Sequence, residues 1–367
     1  MKYFNILKSI LFLFIITIAC TPKEEDNQEA KNESEVTKIK PKLVTQKVKN
    51  DSDDPAIWIN KNTPEASLVI GTDKGDDNGV GGIFAFNLKG EIVKSVDSIM
   101  RPNNIDIAYG LKLNDSTQID IAVFTERYRN AIRVFQLPEL TPIDNGGIDV
   151  FSGEEMREPM GVALYTAESG DIYAIVGRKN GPENGYLWQY KLTANKDVVS
   201  GQLVRKFGKF SGKAEIEAIA VDDELGYVYC SDEMFGVRKY YADPAKGNDE
   251  LAVFGNNGEF TQDHEGISIY DAGNGKGYII VSDQQANKFH LYSREGVDGD
   301  PHNHKLVKTI NVSTNESDGS EVTNIALGSS FPNGLFVAMS DDGTFQYYDW
   351  NDIQNSGTTE LQSAVIN

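Results

Sequence analysis

The stretch LVIGTDKGDDNGVGGIFAFNLKGEIVKSV (Leu68–Val96) decides the fold. Three short apolar segments are separated by turns rich in Gly, Asp and Asn, which is the pattern of consecutive β-strands. Its middle segment, GGIFAF (Gly81–Phe86), is a six-residue unit that begins with Gly or Asn and ends in an aromatic. The unit recurs as NAIRVF (Asn130–Phe135), GYLWQY (Gly185–Tyr190), GVRKYY (Gly236–Tyr241), NKFHLY (Asn287–Tyr292) and GTFQYY (Gly343–Tyr348), at spacings of 49, 55, 51, 51 and 56 residues. A period near that length, built of short strands, is a propeller signature.

An apolar strand with a polar end precedes each unit: LVIGTDK, IAVFTER, YAIVGRK, VYCSDE, IIVSDQ and LFVAMSDD. Before it lies another apolar segment with a polar start: DDPAIWIN, NNIDIAYG, PMGVALY, EIEAIAVDD, HEGISIYD and SEVTNIALG. EIVKSV, GIDVFSG, QLVRKFG, ELAVFG and KLVKTINV supply a further strand after five of the six units. The reading is an all-β six-bladed β-propeller with four antiparallel strands per blade. The sixth blade lacks its outer strand, and KLVTQKV (Lys42–Val48) is placed to donate it, closing the ring with an N-terminal strand and removing an exposed edge. A β-sandwich with coincidental spacing fits the aligned aromatics poorly. Residues 41–367 read as one domain. Trp58, Trp188 and Trp350 fall inside strand patterns and are expected in the core.

Ahead of that domain, residues 1–20 carry Lys2 and Lys8, an apolar run and then Cys20, as in a signal peptide. The ending TIAC resembles a bacterial lipobox, which makes Cys20 the expected lipidation site and the protein an exported bacterial lipoprotein of the outer membrane or cell surface, with the periplasm as the other possible side. An ordinary secretory signal is the alternative. Residues 21–40 have almost no large apolar content and read as a disordered tether. Cys230 has no partner for an intrachain disulfide and reads as a small buried hydrophobe. The chain of 367 residues has a formal net charge of −20, which argues against nucleic acid and anionic surfaces as partners. A closed propeller has no obligate partner surface, so a monomer is expected.

In an antiparallel blade the start of the innermost strand and the end of the second strand lie at the same edge. Six blades therefore bring Asp53, Asp54, Asn103, Asn104, Asp106, Glu158, Glu215, Glu217, Asp263, Glu265, Asp318 and Glu321 toward one mouth. The second strands add Asp73, Glu126, Asp232, Glu233 and Asp283, together with the bases Lys74, Arg127, Arg178 and Lys179. So many carboxylates require a counter-charge. Calcium, which takes oxygen ligands in loose geometry, suits them better than zinc, which would want His or Cys. Cations and fixed bases facing one pocket point to phosphoryl chemistry; the bland alternative is surface ion pairing. The His pair in DPHNHK reads as a solvated loop. No Arg-His-Gly, Cys-x5-Arg or Walker-type motif is present, which disfavours a covalent His or Cys mechanism.

DDPAIWIN, RPNNIDIAYGL, EIEAIAVDDELGYVY, DHEGISIYDAGNGKGYIIVSDQ and FPNGLFVAM resemble the segments of β-propeller phytases, calcium-dependent enzymes that remove phosphates from myo-inositol hexakisphosphate. The resemblance runs from about Asp51 to Asp349. It implies several calcium ions, structural and catalytic, phytate or calcium-phytate as substrate, and in-line attack by a calcium-bound water without a phosphoenzyme. By motif it implies metal ligation by Asp53, Asp54, Asn104, Asp106, Glu217, Glu233, Asp263, Glu265 and Asp318. Asp263, Glu265, Glu217 and Glu233 form the implied catalytic set, and Lys74, Arg127, Arg178 and Lys179 the implied phosphate grip. The sequence departs from some family members at Gly75, where they carry a second Lys, and at Met160, where they carry Tyr. Calcium also answers the charge problem, because it makes an acidic mouth locally positive.

Two further readings are a calcium-dependent propeller lactonase or esterase and a non-enzymatic surface-binding propeller. The first leaves Lys74, Arg127 and Arg178 without a task. Within DHEG, strict strand alternation puts Asp263 and Glu265 on one side and His264 on the other, so replacing His264 should matter little. Gly266 is then the point where the backbone enters the crowded channel.

Overall fold

The computed structural model describes residues 38–114, 116–357 and 361. The leader with Cys20, and the tether up to residue 37, lie outside the described residues.

Six antiparallel sheets follow one another along the chain. Blade one is Ser52–Trp58, Leu68–Asp73, Val80–Phe86 and Ile92–Met100; blade two is Pro102–Asn114, Thr117–Glu126, Ala131–Leu137 and Ile148–Asp149, with Thr141–Pro142 also paired to its third strand. Blade three is Pro159–Thr166, Ile172–Arg178, Asn184–Asn195 and Val198–Lys209, and blade four is Ile219–Asp222, Tyr227–Asp232, Gly236–Tyr241 and Ala252–Phe254. Blade five is His264–Gly273, Lys276–Asp283, Lys288–Ser293 and Leu306–Asn311. Blade six is Ser320–Thr323, Leu335–Ser340 and Thr344–Asp349, and Leu43–Val44 completes it as the outermost strand. The expected closure by the N-terminal segment is therefore present. Lys42 N–H donates to Tyr347 O at 2.8 Å and Val48 N–H to Gly343 O at 2.9 Å. The chain is engaged before residue 41, since Ile39 N–H donates to Asn311 O at 2.8 Å.

The repeated aromatics are what the blades pack on. Phe86, Phe135, Tyr190, Tyr292 and Tyr348 are buried, while Tyr241 is half-buried. Between blades one and six, Val69, Phe84 and Phe86 meet Val337, Phe345 and Tyr347. Each such side chain contributes roughly 1.5–3 kcal/mol of burial, so the period in the sequence is the period of the core. Trp58, Trp188 and Trp350 are buried, and so is Cys230, whose thiol pKa burial pushes up.

Arginine clamps tie blades and loops together. Arg294 of blade five grips Asp222 of blade four through Nε and Nη2, each at 2.7 Å. Arg238 Nε pairs with Asp232 at 2.7 Å, and Arg133 Nε with Asp144 at 2.7 Å. One expectation fails in this region. His304 is buried rather than solvated: its Nδ1 faces Ser293 O at 2.7 Å, and its Nε2 lies 3.1 Å from the Lys239 ammonium, which also donates to Pro301 O.

Candidate active site

The innermost strands of four blades share one irregularity at the channel mouth. In blade one Ser52 pairs with Asp73 and Pro55 with Gly71, so three steps on one strand match two on its partner. The same single-residue bulge follows Pro102, Pro159 and His264. A bulge turns consecutive side chains in directions that a regular strand would not allow. It lets Asp53 and Asp54, neighbours in sequence, enter different groups. Asp53 takes Lys74 Nζ at 3.1 Å and Asn103 Nδ2 at 3.1 Å, while Asp54 accepts the Ile105 N–H at 3.0 Å. Gly266 lies inside one of these bulges because a Cβ there would come within 2.7 Å of Asp318 O and 2.8 Å of the Gly319 Cα.

Glu215, Glu217 and Glu233 each bring a carboxylate oxygen within 4.8 Å of the other two. Asn103 Nδ2 reaches Glu217 at 3.4 Å as well as Asp53, and Lys74 joins Asp53 to Asp318, which it meets at 2.6 Å. Asp318 also accepts Gln284 Nε2. Asp263 is held by Gln285 Nε2 at 2.6 Å, and its N–H donates to Gln285 Oε1 at 3.0 Å. Glu265 and Glu233 each keep a buried carboxylate oxygen that no donor among the described residues meets.

Electrostatics bind these residues into one group. Burial pushes the Glu217 pKa up to about 8, with Asp53 adding to it and Lys74 opposing it. Burial raises Glu233 to about 9, helped by Glu217, Glu215 and Asp263. Glu265 lies well above the usual carboxylate range, through burial first and then Glu217, Glu233 and Asp318. Burial also raises Asp318, against the pull of Lys74. Burial works against the Lys74 charge, but Asp53, Asp318 and Glu217 outweigh it and hold the ammonium pKa well above its ordinary value. One lysine does not neutralise this set, and lack of positive charge raises the proton affinity of Glu217, Glu233, Glu265 and Asp318.

A second acidic group sits deeper in the channel. Asp54, Asn104, Asp106 and Glu321 line a cavity of about 120 Å³ together with Ile105 and Ser320. Burial raises Asp106 to about 7 and Glu321 to about 8; Asp106 nevertheless accepts the Leu164 N–H at 2.7 Å. The Asn104 Oδ1 is buried and meets no donor among the described residues. The nine ligands implied by resemblance thus divide between mouth and channel.

Both groups fit a hard divalent cation. Their donors are oxygens without Cys or His, and among the described residues several have no protein partner. The mouth fits calcium better than zinc, because His264 Nε2 is already engaged 2.6 Å from Gly255 O.

The phytase family model matches residues 5–354. A 3-phytase of Bacillus subtilis (strain 168) is 31% identical over 301 residues, covering 79% of this chain and 75% of the relative. The chain belongs to the phytase family. It is a phosphatase, which removes the lactonase and the non-enzymatic binding readings. Two solved structures share 11% identity: the Dos1 propeller, with a TM-score of 0.42 over 86% of this chain and 70% of that one, and a mitotic checkpoint complex chain, with a TM-score of 0.46 over 94% and 99%.

In this phytase-family chain the four implied phosphate-gripping bases have different surroundings. Lys74 bridges Asp53 and Asp318, and Lys179 Nζ lies 3.1 Å from both carboxylate oxygens of Glu215. Arg127 is buried in a short turn after the second strand of blade two, and its Nε meets no acceptor among the described residues. Arg178 is drawn elsewhere. Its guanidinium lies 4.6 Å from the Phe151 ring centre, donates to Met156 O at 3.1 Å and pairs with Glu154 at 3.5 Å, in a side chain only 1% exposed. Aromatic stacking and a local carboxylate hold Arg178, and among the described residues no hydrogen bond or ion pair joins it to a mouth carboxylate. The His264 expectation also needs correction. The bulge at Glu265 breaks the alternation on which it rested, and the His264 ring is buried, 3.8 Å from the Phe260 ring centre in a stacked arrangement. Its Nε2 is taken by Gly255 O, and the ring anchors the loop that carries Asp263. Asn103, Glu215, Gln284 and Gln285 belong to the mouth as well; the first two were visible as polar strand starts, whereas the glutamines follow Asp283 with no pattern to mark them.

Proposed function

We propose that the protein releases phosphate from myo-inositol hexakisphosphate in a calcium-dependent reaction, acting on phytate or calcium-phytate. The observation that carries the reading is the carboxylate set of buried Glu217, Glu233, Glu265 and Asp53 with half-buried Asp263 and Asp318, short of positive charge and flanked by Lys74 and Lys179. These residues would hold the calcium ions of the mouth. When bound, calcium lowers the pKa of water and neutralises charge on the phosphate.

Lys74 holds its proton and its place through Asp53 and Asp318, so it offers a fixed positive charge to a phosphate oxygen. Gln285 orients Asp263 from both its main chain and its side chain, and Asn103 spans Asp53 and Glu217, so the oxygens are positioned before substrate arrives. Lys179 exchanges Glu215 for an incoming phosphate with little rearrangement, because its ammonium is on the rim. Asp54, Asn104 and Asp106 would hold a separate ion in the channel. We also propose lipid anchoring through Cys20 in an exported bacterial protein and a monomeric state.

The test is phosphate release from calcium-phytate with and without chelator, beside a lactone and a simple phosphate monoester. Release that needs calcium and prefers phytate supports the proposal. No release in excess calcium from folded protein overturns it. Arg127→Ala should cut turnover while calcium-dependent melting stays nearly unchanged.

A further inference from the structure

The second strand of blade five ends in SDQQAN (Ser282–Asn287), and the side chains of this segment bond to two different neighbours. Asp283 and Gln285 hold the loop that enters blade five. Asp283 accepts the Thr261 N–H at 3.0 Å and the Thr261 hydroxyl at 3.2 Å, and Gln285 holds Asp263. Ser282, Gln284 and Asn287 hold the loop that enters blade six. The Ser282 hydroxyl donates to Ser317 O at 2.8 Å, Gln284 Nε2 donates to Asp318, and Asn287 Oδ1 accepts the Glu316 N–H at 2.7 Å. One short segment therefore grips both strand entries that bring Asp263 and Asp318 to the mouth.

The two grips are joined to each other. Gln285 Nε2 donates to Asp263 Oδ2 and to Gln284 Oε1, each at 2.6 Å, and Gln284 Nε2 continues the chain to Asp318 Oδ1. Gln285 Oε1 is already taken by the Asp263 N–H at 3.0 Å. Reversing either amide would aim an oxygen at a carboxylate, so the chain Asp263–Gln285–Gln284–Asp318 has one direction. Among the described residues, Asp263 Oδ1 accepts no hydrogen bond and is left to take a cation.

The equivalent place in blade two shows what is special here. RYRN (Arg127–Asn130) makes the same short turn with the same left-handed Asn, at a φ of 52° against 54° for Asn287. Blade five has Gln284 where blade two has Arg127. A base between Asp263 and Asp318 would neutralise them, whereas an amide orients their oxygens and leaves their charge to a cation.

We propose that Gln284 and Gln285 act as one positioning unit that couples Asp263 to Asp318, so that the acids of blades five and six bind mouth calcium together. The inference rests on the calcium reading above and adds the coupling to it. An ion that fixes Asp263 fixes Gln285, and through it Gln284 and Asp318, so each acid is set for calcium by the occupancy of the other.

Gln284→Met and Gln285→Met keep an unbranched side chain of similar length and remove every amide bond. Calorimetric titration of calcium-free protein with calcium reads the binding, and Asp263→Asn marks the class of ions held at the mouth. Each Met variant should weaken that class about tenfold or more. The double variant should bind within about twofold of the weaker single one, because either change already breaks the unit. Binding within about twofold of the parent in either single variant, or losses that multiply in the double variant, overturns the coupling, since a turn that is merely structural gives no such cycle. Gln284→Ser and Gln285→Ser repeat the cycle where a Met variant fails to fold. The calcium concentration for half-maximal phosphate release from phytate should rise in proportion. If the coupled loss is seen but the parent releases no phosphate from phytate, the phytase reading fails and the coupling stands. If the parent releases phosphate with calcium and the losses multiply, the coupling fails and that reading stands. A parent that binds no calcium overturns both.

Discussion

Two sets of buried carboxylates in this propeller have opposite fates. Within the blades and at the seam of blades four and five each acid has its own partner: Asp222 has Arg294, Asp232 has Arg238, Asp144 has Arg133, and Asp283 has His290 and Thr261. Burial works against the Asp283 charge, but His290 and the Thr261 N–H outweigh it and its pKa falls below the usual value. At the mouth Glu217, Glu233 and Glu265 are buried to a similar degree, share one lysine with Asp53 and Asp318, and rise far above the usual value. The same side chain is structural where donors match it and chemically reserved where they do not. Burial alone does not distinguish the two; the count of positive partners does.

The comparison breaks most visibly at a seam. Arg294→Ala strands Asp222, Asp271 and Glu224 and should lower stability by about 3–5 kcal/mol, read by denaturant unfolding, while activity per folded molecule persists. Loss of activity at unchanged stability would erase the distinction. His264→Ala should cost about 2–3 kcal/mol by opening a cavity beneath Phe260, and should weaken calcium binding through Asp263, whereas His264→Phe should recover most of the stability.

At the mouth, Glu265→Gln should weaken calcium binding about 10–100-fold in a calcium titration, and should raise the melting temperature of calcium-free protein because one unmatched charge is gone. A fall in calcium-free melting temperature would make Glu265 structural. The proton affinities set a direction for pH. Glu217 and Glu233 bind protons more tightly folded than their ordinary value of 4.5, at about 8 and about 9. Calcium-free stability should therefore fall as pH rises from about 4.5 to about 9, and calcium affinity should climb over the same window with release of protons. Melting scans with and without calcium check both statements. The smallest effect belongs to the rim: Lys179→Ala breaks an exposed pair with Glu215 and should change stability by only about 0.2–1 kcal/mol, with its consequence in KM for phytate.

Much of this was legible in the chain. The six aromatic units mark the blades because one strand pattern and one buried ring recur at each period, and the polar starts of DDPAIWIN, EIEAIAVDD and DHEG mark the mouth because covalent order places strand starts at one edge. Period-two reasoning failed at His264, since it holds only while pairing is regular and the bulge lies between His264 and Ile267. The solvated-loop reading of DPHNHK failed at His304, because its partners, Ser293 and Lys239, come from strands that the loop itself does not reveal.

The sequence by itself determined the number of blades, the closing strand and the acidic character of one mouth, since local periodicity and chain order suffice for these. Only the tertiary structure decided which charges meet. Arg178 and Arg127 occupy equivalent ends of neighbouring second strands, yet Phe151 and Glu154 capture the first while the Nε of the second meets no acceptor among the described residues. Asp53 and Asp54 are adjacent, yet a bulge sends one to Lys74 and the other into the channel. An ionisable side chain's role depends on groups distant in sequence, and those groups are brought within a few ångströms only when the ring closes.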